Sequence, residues 1–350
     1  MILDEIQYAP ELLPVIKRRL DQNQQAGQYF LTGSQNLSLI KNISESLAGR
    51  VIVLELEPMS LSERLGGVQR GEKCWLEAIL DARQDIPELK GYQRIRHDRM
   101  TESLFSVLWR GGYPRVLDLD DSFLGDVFRS YVQTYVERDI RMIAEVSDQQ
   151  MFSRFLGLCA ALTAQEINFS QLGRDIGVTP QTAGRWLSIL KATYLWVEIP
   201  AYSGNTIKRL SEKPKGYLAD TGLTCYLQRI SSPPALSAHP LLGALFETHV
   251  VLDIRHHFAC LNVPPQCYQW RTYAGAEVDL ILERDGIFWP VEIKCKTTIA
   301  KQDIRGIMAF RQTYPFLRWG PGLVIAPVNE VMYLPERIVV IPYDIGTAKK

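Results

Sequence analysis

The sequence predicts an α/β protein in several parts, and three stretches carry that expectation. Residues 1–66 alternate apolar strands with helical patterns, residues 166–230 hold two short capped helices followed by strands, and residues 275–294 form an acidic hairpin. At 350 residues, 46% hydrophobic and 22% charged, the chain has the length for two or three units and ample material for a core. Its 39 Lys and Arg balance 39 Asp and Glu, so any basic surface is local. The six cysteines form no C-x-x-C pair, which argues against a zinc ribbon or disulfide framework and for a reducing, cytoplasmic setting. No apolar run approaches a membrane span, and the acidic N-terminus does not open as a signal peptide does, so no membrane partner is expected.

In chain order, Met1–Leu3 reads as a strand, and residues 10–23 carry Leu12, Leu13, Ile16 and Leu20 at helical spacing. A second strand runs from Gln28 into the turn Thr32-Gly33-Ser34, a second helix covers 37–48, and Val51–Leu54 is a third strand. That alternation implies a small parallel sheet with covering helices and an open edge at its first strand. Residues 67–165 read as mostly helical, with the charged run Glu137-Arg138-Asp139 on a solvated or interdomain face.

Residues 166–230 follow the pattern of a winged helix-turn-helix. Ser170 caps a short helix, Gly177 supplies the turn, and Thr179 caps a second helix with Pro180 at its first position. Strands at 194–199 and 215–219 flank a turn at Ser203-Gly204-Asn205. Gln181, Thr182 and Arg185 are the polar positions of the second helix, suited to a DNA groove, while Lys208, Arg209, Lys213 and Lys215 of the wing suit phosphates. A structural spacer between neighbouring modules is the other expectation for this region.

After Ser231-Ser232-Pro233-Pro234, residues 238–350 form an α/β domain: a helix at 241–257, strands near 267–273, 277–283 and 287–295, and a helix at 302–314. Asp285-Gly286 between apolar runs predicts a two-residue type I′ hairpin. That loop sets Arg284 opposite Ile287, Asp279 opposite Glu292 and Glu277 opposite Lys294, all four polar side chains on one face. Facing carboxylates repel. Either Mg²⁺ lies between them, with Lys294 orienting water, or the face is solvated with a Glu277–Lys294 ion pair. Pro290 adds the possibility of a bulge that would shift the register. His249, Asp253 and His256 or His257 share one helical face, and without cysteine partners they are expected to be ordinary surface or partly buried histidines.

Asp279 followed by Glu292-Ile293-Lys294 on the next strand resembles the PD-(D/E)xK nuclease core over roughly residues 240–315. The resemblance implies a metal held by Asp279, Glu292 and a helical glutamate, Glu247, with Val278 in place of the proline that names the motif. At the N-terminus, Asp4 and Glu5 end an apolar strand as a magnesium ligand and a water-polarising base do in P-loop enzymes. Ser34 or Thr32 stands where a polar sensor reaches the γ-phosphate, and Arg50 adds positive charge. LDEIQ, TGSQ and LAGR in this order, with YVQTYVERD, YLADTG and the acidic hairpin, resemble a group of bacterial and archaeal AAA-fold ATPases. In that group the ATPase module precedes a C-terminal domain of unknown function with a winged helix and a nuclease-like core. The resemblance implies ATP and Mg²⁺ as cofactors and a phosphate loop several tens of residues ahead of the LDE strand; the winged-helix pattern and the acidic hairpin make duplex or branched DNA the expected partner. The 350 residues contain no G-x-x-x-x-G-K-[ST]; the nearest, GGVQRGEK at 66–73, has Glu72 at the lysine position. A truncated ATPase-like module is therefore expected, without ATP hydrolysis and with a homo-oligomer or another chain covering its sheet edge. The alternatives are a Mg²⁺-dependent nuclease and a non-catalytic interaction protein.

Overall fold

The computed structural model describes residues 1–23, 25–33, 47, 49–64, 73–89, 91–95, 103–136, 149–205 and 212–348. Most of the expected helix at 37–48, Ser34, the run 137–139, most of GGVQRGEK, and Lys208 and Arg209 lie outside the described residues.

The N-terminal segment holds β1 (Ile2–Leu3), α1 (Leu13–Gln22) and β2 (Phe30–Leu31). The strands pair in parallel, Ile2 with Phe30 and Leu3 with Leu31, and α1 buries Leu13 and Ile16 beside Ile6 and Leu47. Val51–Leu54 does not join them as the expected third strand. Residues 51–60 have no regular structure, and Ile52 and Leu54 are 86% and 87% exposed. A ladder only two residue pairs deep offers that segment no surface on which to bury its apolar side.

Next come α2 (Trp75–Ala82), β3 (Tyr92–Arg94), α3 (Leu104–Arg110), α4 (Asp121–Tyr131) and α5 (Gln149–Ala161). The α2 side chains Trp75, Leu76, Ile79 and Leu80 are buried in the same core as the C-terminal sheet. A three-stranded antiparallel sheet follows, made of β4 (Gln165–Glu166), β5 (Trp196–Ile199) and β6 (Lys215–Leu218) in the order β4-β6-β5. Between β4 and β5 lie α6 (Phe169–Ile176) and α7 (Pro180–Ala192). Gly177 ends α6 at φ 84, and Thr179 caps α7 by accepting from the Thr182 amide at 3.1 Å, with Pro180 at the first position. The cap of α6 differs from expectation. Asn168 accepts from the amides of Ser170 and Gln171, so the helix begins one residue before Ser170.

The remainder is α8 (Thr221–Leu227), α9 (Leu242–His256), β7 (Gln266–Arg271), β8 (Glu277–Arg284), β9 (Ile287–Ile293), α10 (Arg305–Thr313), β10 (Arg318–Trp319), β11 (Gly322–Ala326), β12 (Met332–Leu334), β13 (Ile338–Pro342) and β14 (Ile345–Ala348). Its seven-stranded mixed sheet runs β12-β13-β11-β9-β8-β7, with β10 also on β9. Every residue of β9 is buried, because helices cover both faces. Asp285 and Gly286 take φ 56 and φ 70 in the β8–β9 turn, and Arg284 faces Ile287 through to Leu280 facing Val291, as the type I′ loop requires. Pro290 introduces no bulge into that pairing. It lies between the residues of β9 paired with β10 (Ile287, Phe288) and those paired with β11 (Val291–Ile293), a place where its missing N–H interrupts neither ladder. β14 pairs with β3, and Arg94 grips the buried Asp344 through paired hydrogen bonds of 2.6–2.8 Å.

Candidate functional site

The hairpin, α9 and β6 bring one charged cluster together. Asp279 and Glu292 are 5% and 2% exposed, so the face is not a solvated one. Lys294 Nζ lies 2.5 Å from Glu292 Oε2 and 3.3 Å from Asp279 Oδ2, and the Ile293 amide donates to the same Asp279 oxygen at 2.8 Å. The expected Glu277–Lys294 pair does not form; Glu277 is exposed and reaches Arg271 at 3.9 Å. Two neighbouring carboxylates hold an ammonium more strongly than one does, so Lys294 turns inward. Gly306 of α10 allows this geometry, since a Cβ there would collide with the Glu292 carboxylate and the Glu277 carbonyl.

Glu247 projects from α9 toward the same place. Lys215 Nζ from β6 sits 2.5 Å from Glu247 Oε1 and 3.8 Å from Asp279 Oδ1, and the Tyr217 hydroxyl donates to Glu247 Oε1 at 2.8 Å. Lys215 and Tyr217 share one face of β6 by strand alternation, while Gly216 on the other face lies against Trp196. Three carboxylates thus meet two ammonium groups and a phenol. Burial, and then the Asp279 charge, push Glu247 up to about 7 against the pull of Lys215. Glu292 is raised by the same two causes. Burial works against the charge on Lys294, but Asp279 and Glu292 outweigh it and hold its proton more firmly than usual. Tyr217, fully enclosed, is raised well above its ordinary range by burial.

The sequence places Lys215 among the phosphate contacts of the wing; the structure instead buries it on Glu247. Its contact with Glu247 and the part played by Tyr217 were not legible in the sequence. Their alternation in Lys215-Gly216-Tyr217 was the available signal, but nothing in the sequence says which element that face meets. The four residues Glu247, Asp279, Glu292 and Lys294 do come together. Among the described residues, however, no group of three His, Cys, Asp or Glu is arranged to hold a metal ion.

At the N-terminus, Asp4 accepts a hydrogen bond from the Thr32 hydroxyl at the ends of the paired strands. Glu5 follows in a left-handed conformation (φ 52) and accepts from the Gln7 side-chain amide. Arg50 pairs with Asp21 at 2.6 Å, which places its charge at the end of α1. On α7, Gln181 and Arg185 are exposed and Thr182 is half-buried, while Trp186, Leu187 and Leu190 are buried beneath them.

On the histidine face at the end of α9, His249, Asp253 and His257 are buried rather than at the surface. Asp253 accepts from the Leu61 amide at 2.6 Å and lies 3.6 Å from His257 Nε2. Burial alone would raise the Asp253 carboxyl; the hydrogen bond and charge of His257, with His249 and the Leu61 amide, bring it well below the usual range. Burial drives His249 down to about 4. A second feature the sequence did not disclose is Asp220. It is 3% exposed and accepts from the Gly112 amide at 2.6 Å and the Leu223 amide at 2.7 Å, joining the 111–112 turn to the start of α8.

These features define an α/β protein with a short parallel N-terminal sheet, a helical pair on a three-stranded sheet, and a mixed seven-stranded sheet carrying a charged cluster. Residues 1–65 match the family profile of an AAA domain, so the N-terminal segment is AAA-like. Residues 101–234 and 242–345 match two domains of unknown function, DUF8612 and DUF4143. Uncharacterized proteins of Mycobacterium tuberculosis and Mycobacterium bovis are each 28% identical over 342 residues, covering 98% of this chain and 68% of their own length. Among the described residues no helix is long and apolar enough to cross a membrane.

Proposed function

We propose that this 350-residue chain is an AAA-like protein that does not itself hydrolyse ATP and that binds duplex or branched DNA through a winged helix. The observation that carries the DNA reading is the division of α7. Gln181 and Arg185 face solvent, with Thr182 beside them at the helix start, while Trp186, Leu187 and Leu190 anchor the opposite side. The order α5, β4, α6, α7, β5, β6 supports the same reading, with α7 as the groove-entering helix. Binding in this mode weakens steeply with salt because phosphate contacts release counterions. Arg185→Ala is expected to weaken duplex binding several-fold, measured by fluorescence anisotropy at two salt concentrations. No binding at low salt would overturn the proposal.

The ATP half rests on what Asp4 and Glu5 have to act on. Asp4 accepts from Thr32 at the strand ends and Glu5 follows it, and in this reading they take the roles of a magnesium ligand and a water-polarising base. No G-x-x-x-x-G-K-[ST] in the 350 residues supplies the backbone cradle and lysine that hold the β- and γ-phosphates. ATP turnover by this polypeptide that disappears with Glu5→Gln would contradict the assignment. The exposure of Ile2, Phe30, Ile52 and Leu54 supports a second copy or another chain over the N-terminal sheet.

The second reading is a Mg²⁺-dependent nuclease, favoured by the convergence of Asp279, Glu292, Lys294 and Glu247. In that reading Asp279, Glu292 and Glu247 would hold the cation, which activates water, and Lys294 would balance developing charge.

A further inference from the structure

We infer that the carboxylate cluster takes Lys215 in place of a divalent cation, so that the charge joining Glu247 to Asp279 is an internal ammonium delivered by β6. A resident metal does not fit the residues as they stand. Glu247 Oε1 already accepts from both Lys215 Nζ (2.5 Å) and the Tyr217 hydroxyl (2.8 Å). Asp279 Oδ2 accepts from the Ile293 amide (2.8 Å) and faces Lys294 (3.3 Å), while its Oδ1 faces Lys215 (3.8 Å). Glu292 Oε2 is engaged by Lys294 at 2.5 Å, and its Oε1 lies against Gly306. Mg²⁺ requires near-octahedral oxygen ligation at short range, and among the described residues no group of three ligand-type side chains offers it.

The lysine is no chance neighbour. Lys215 is 13% exposed and Glu247 14%, and a buried ammonium is retained only where carboxylates repay its lost hydration. Since β6 belongs to the three-stranded sheet while Glu247 and Asp279 belong to α9 and β8, the ion cluster fastens one unit to the other. Lys215 thereby positions the strand that leaves the wing against the C-terminal sheet. This inference concerns Lys215 and stands whether or not α7 binds DNA.

The test is thermal unfolding of the full chain with and without millimolar Mn²⁺ or Mg²⁺, for wild type, Asp279→Asn, Lys215→Ala, and Lys215→Ala combined with Asp279→Asn. Removing the internal ammonium leaves its carboxylates short of positive charge, and a divalent ion then binds the folded state and stabilises it by mass action. The expected result is a wild-type midpoint unmoved by either ion, a lower midpoint for Lys215→Ala that Mn²⁺ raises by about 3 °C or more, and no rise in the double variant. Should Lys215→Ala fail to fold without metal, refolding in Mn²⁺ is expected to recover it. A wild-type midpoint raised by Mn²⁺ and no longer raised after Asp279→Asn would overturn the inference. So would Lys215→Ala that stays insensitive to Mn²⁺, or stays unfolded in it.

Discussion

Asp220 and Glu247 are both enclosed carboxyls, yet they do opposite things with their charge. Asp220 spends it on backbone amides, accepting from Gly112 and Leu223. Asp220→Ala leaves both donors without that acceptor inside the protein, and each such loss costs about 1–3 kcal/mol. A destabilisation of roughly 2–6 kcal/mol is therefore expected in urea unfolding, and a change below about 0.5 kcal/mol would remove Asp220 from this role. Glu247 faces Lys215 but is held up near 7 from an ordinary 4.5, chiefly by burial. A carboxyl raised in the folded state takes up a proton on folding. Its stabilising contribution is full below about 4.5 and is lost as pH rises through about 7. Glu247→Gln cannot titrate, so wild-type stability minus variant stability should fall across that window and level off above it. A difference that stays flat or rises with pH would rule out the raised carboxyl. Sequence made Asp279, Glu292 and Lys294 visible because a two-residue turn fixes which residues face one another, and Glu247 visible only through the resemblance to the nuclease core. It could not show Lys215 or Asp220 at work, since their partners lie 32 and 108 residues away in the chain for Glu247 and Gly112 respectively.

Elements whose boundaries are written in local chemistry were legible. Thr179-Pro180 starts α7, Gly177 stops α6, and Asp285-Gly286 turns β8 into β9, each because one backbone conformation suits those residues. Val51–Leu54 looked equally strand-like, but a strand forms only beside a partner, and residues 51–60 lie outside the two-residue β1–β2 ladder. The strands after α10 escaped notice for the converse reason: β11 and β13 are wholly buried, and a buried run lacks the alternation that marks a half-exposed strand. β6 is the most constrained element near the cluster, with Tyr217 fully buried on one face and Gly216 tight against Trp196 on the other. Gly216→Ala drives a methyl into the indole and is expected to cost about 1–3 kcal/mol. Thermal unfolding indistinguishable from wild type would mean that β6 has slack the structure does not display.

At the scale of the molecule, residues 73–95 contribute to the C-terminal core. Trp75, Leu76, Ile79 and Leu80 pack with Leu280, Leu282 and Trp289, and β14 returns to pair with β3. No periodicity in the helical stretch announces that destination, because burial against a distant sheet and burial within a helical bundle leave the same apolar pattern. Asp344→Ala removes the buried partner of Arg94, and faster amide exchange is expected across Tyr92–Arg94, with exchange in β9 unchanged. Equal acceleration in both would show that β3 has no separate dependence on this ion pair. The larger claim is that the C-terminal cluster is neutralised by lysines while α7 meets DNA. The most direct measurement is incubation of the full chain with duplex and branched DNA in Mg²⁺ or Mn²⁺, following binding and cleavage together for wild type, Arg185→Ala and Asp279→Ala. Salt-dependent binding that Arg185→Ala weakens is expected, with the DNA left intact by every variant. Cleavage by wild type that Asp279→Ala abolishes would contradict it and establish the metal-dependent nuclease instead.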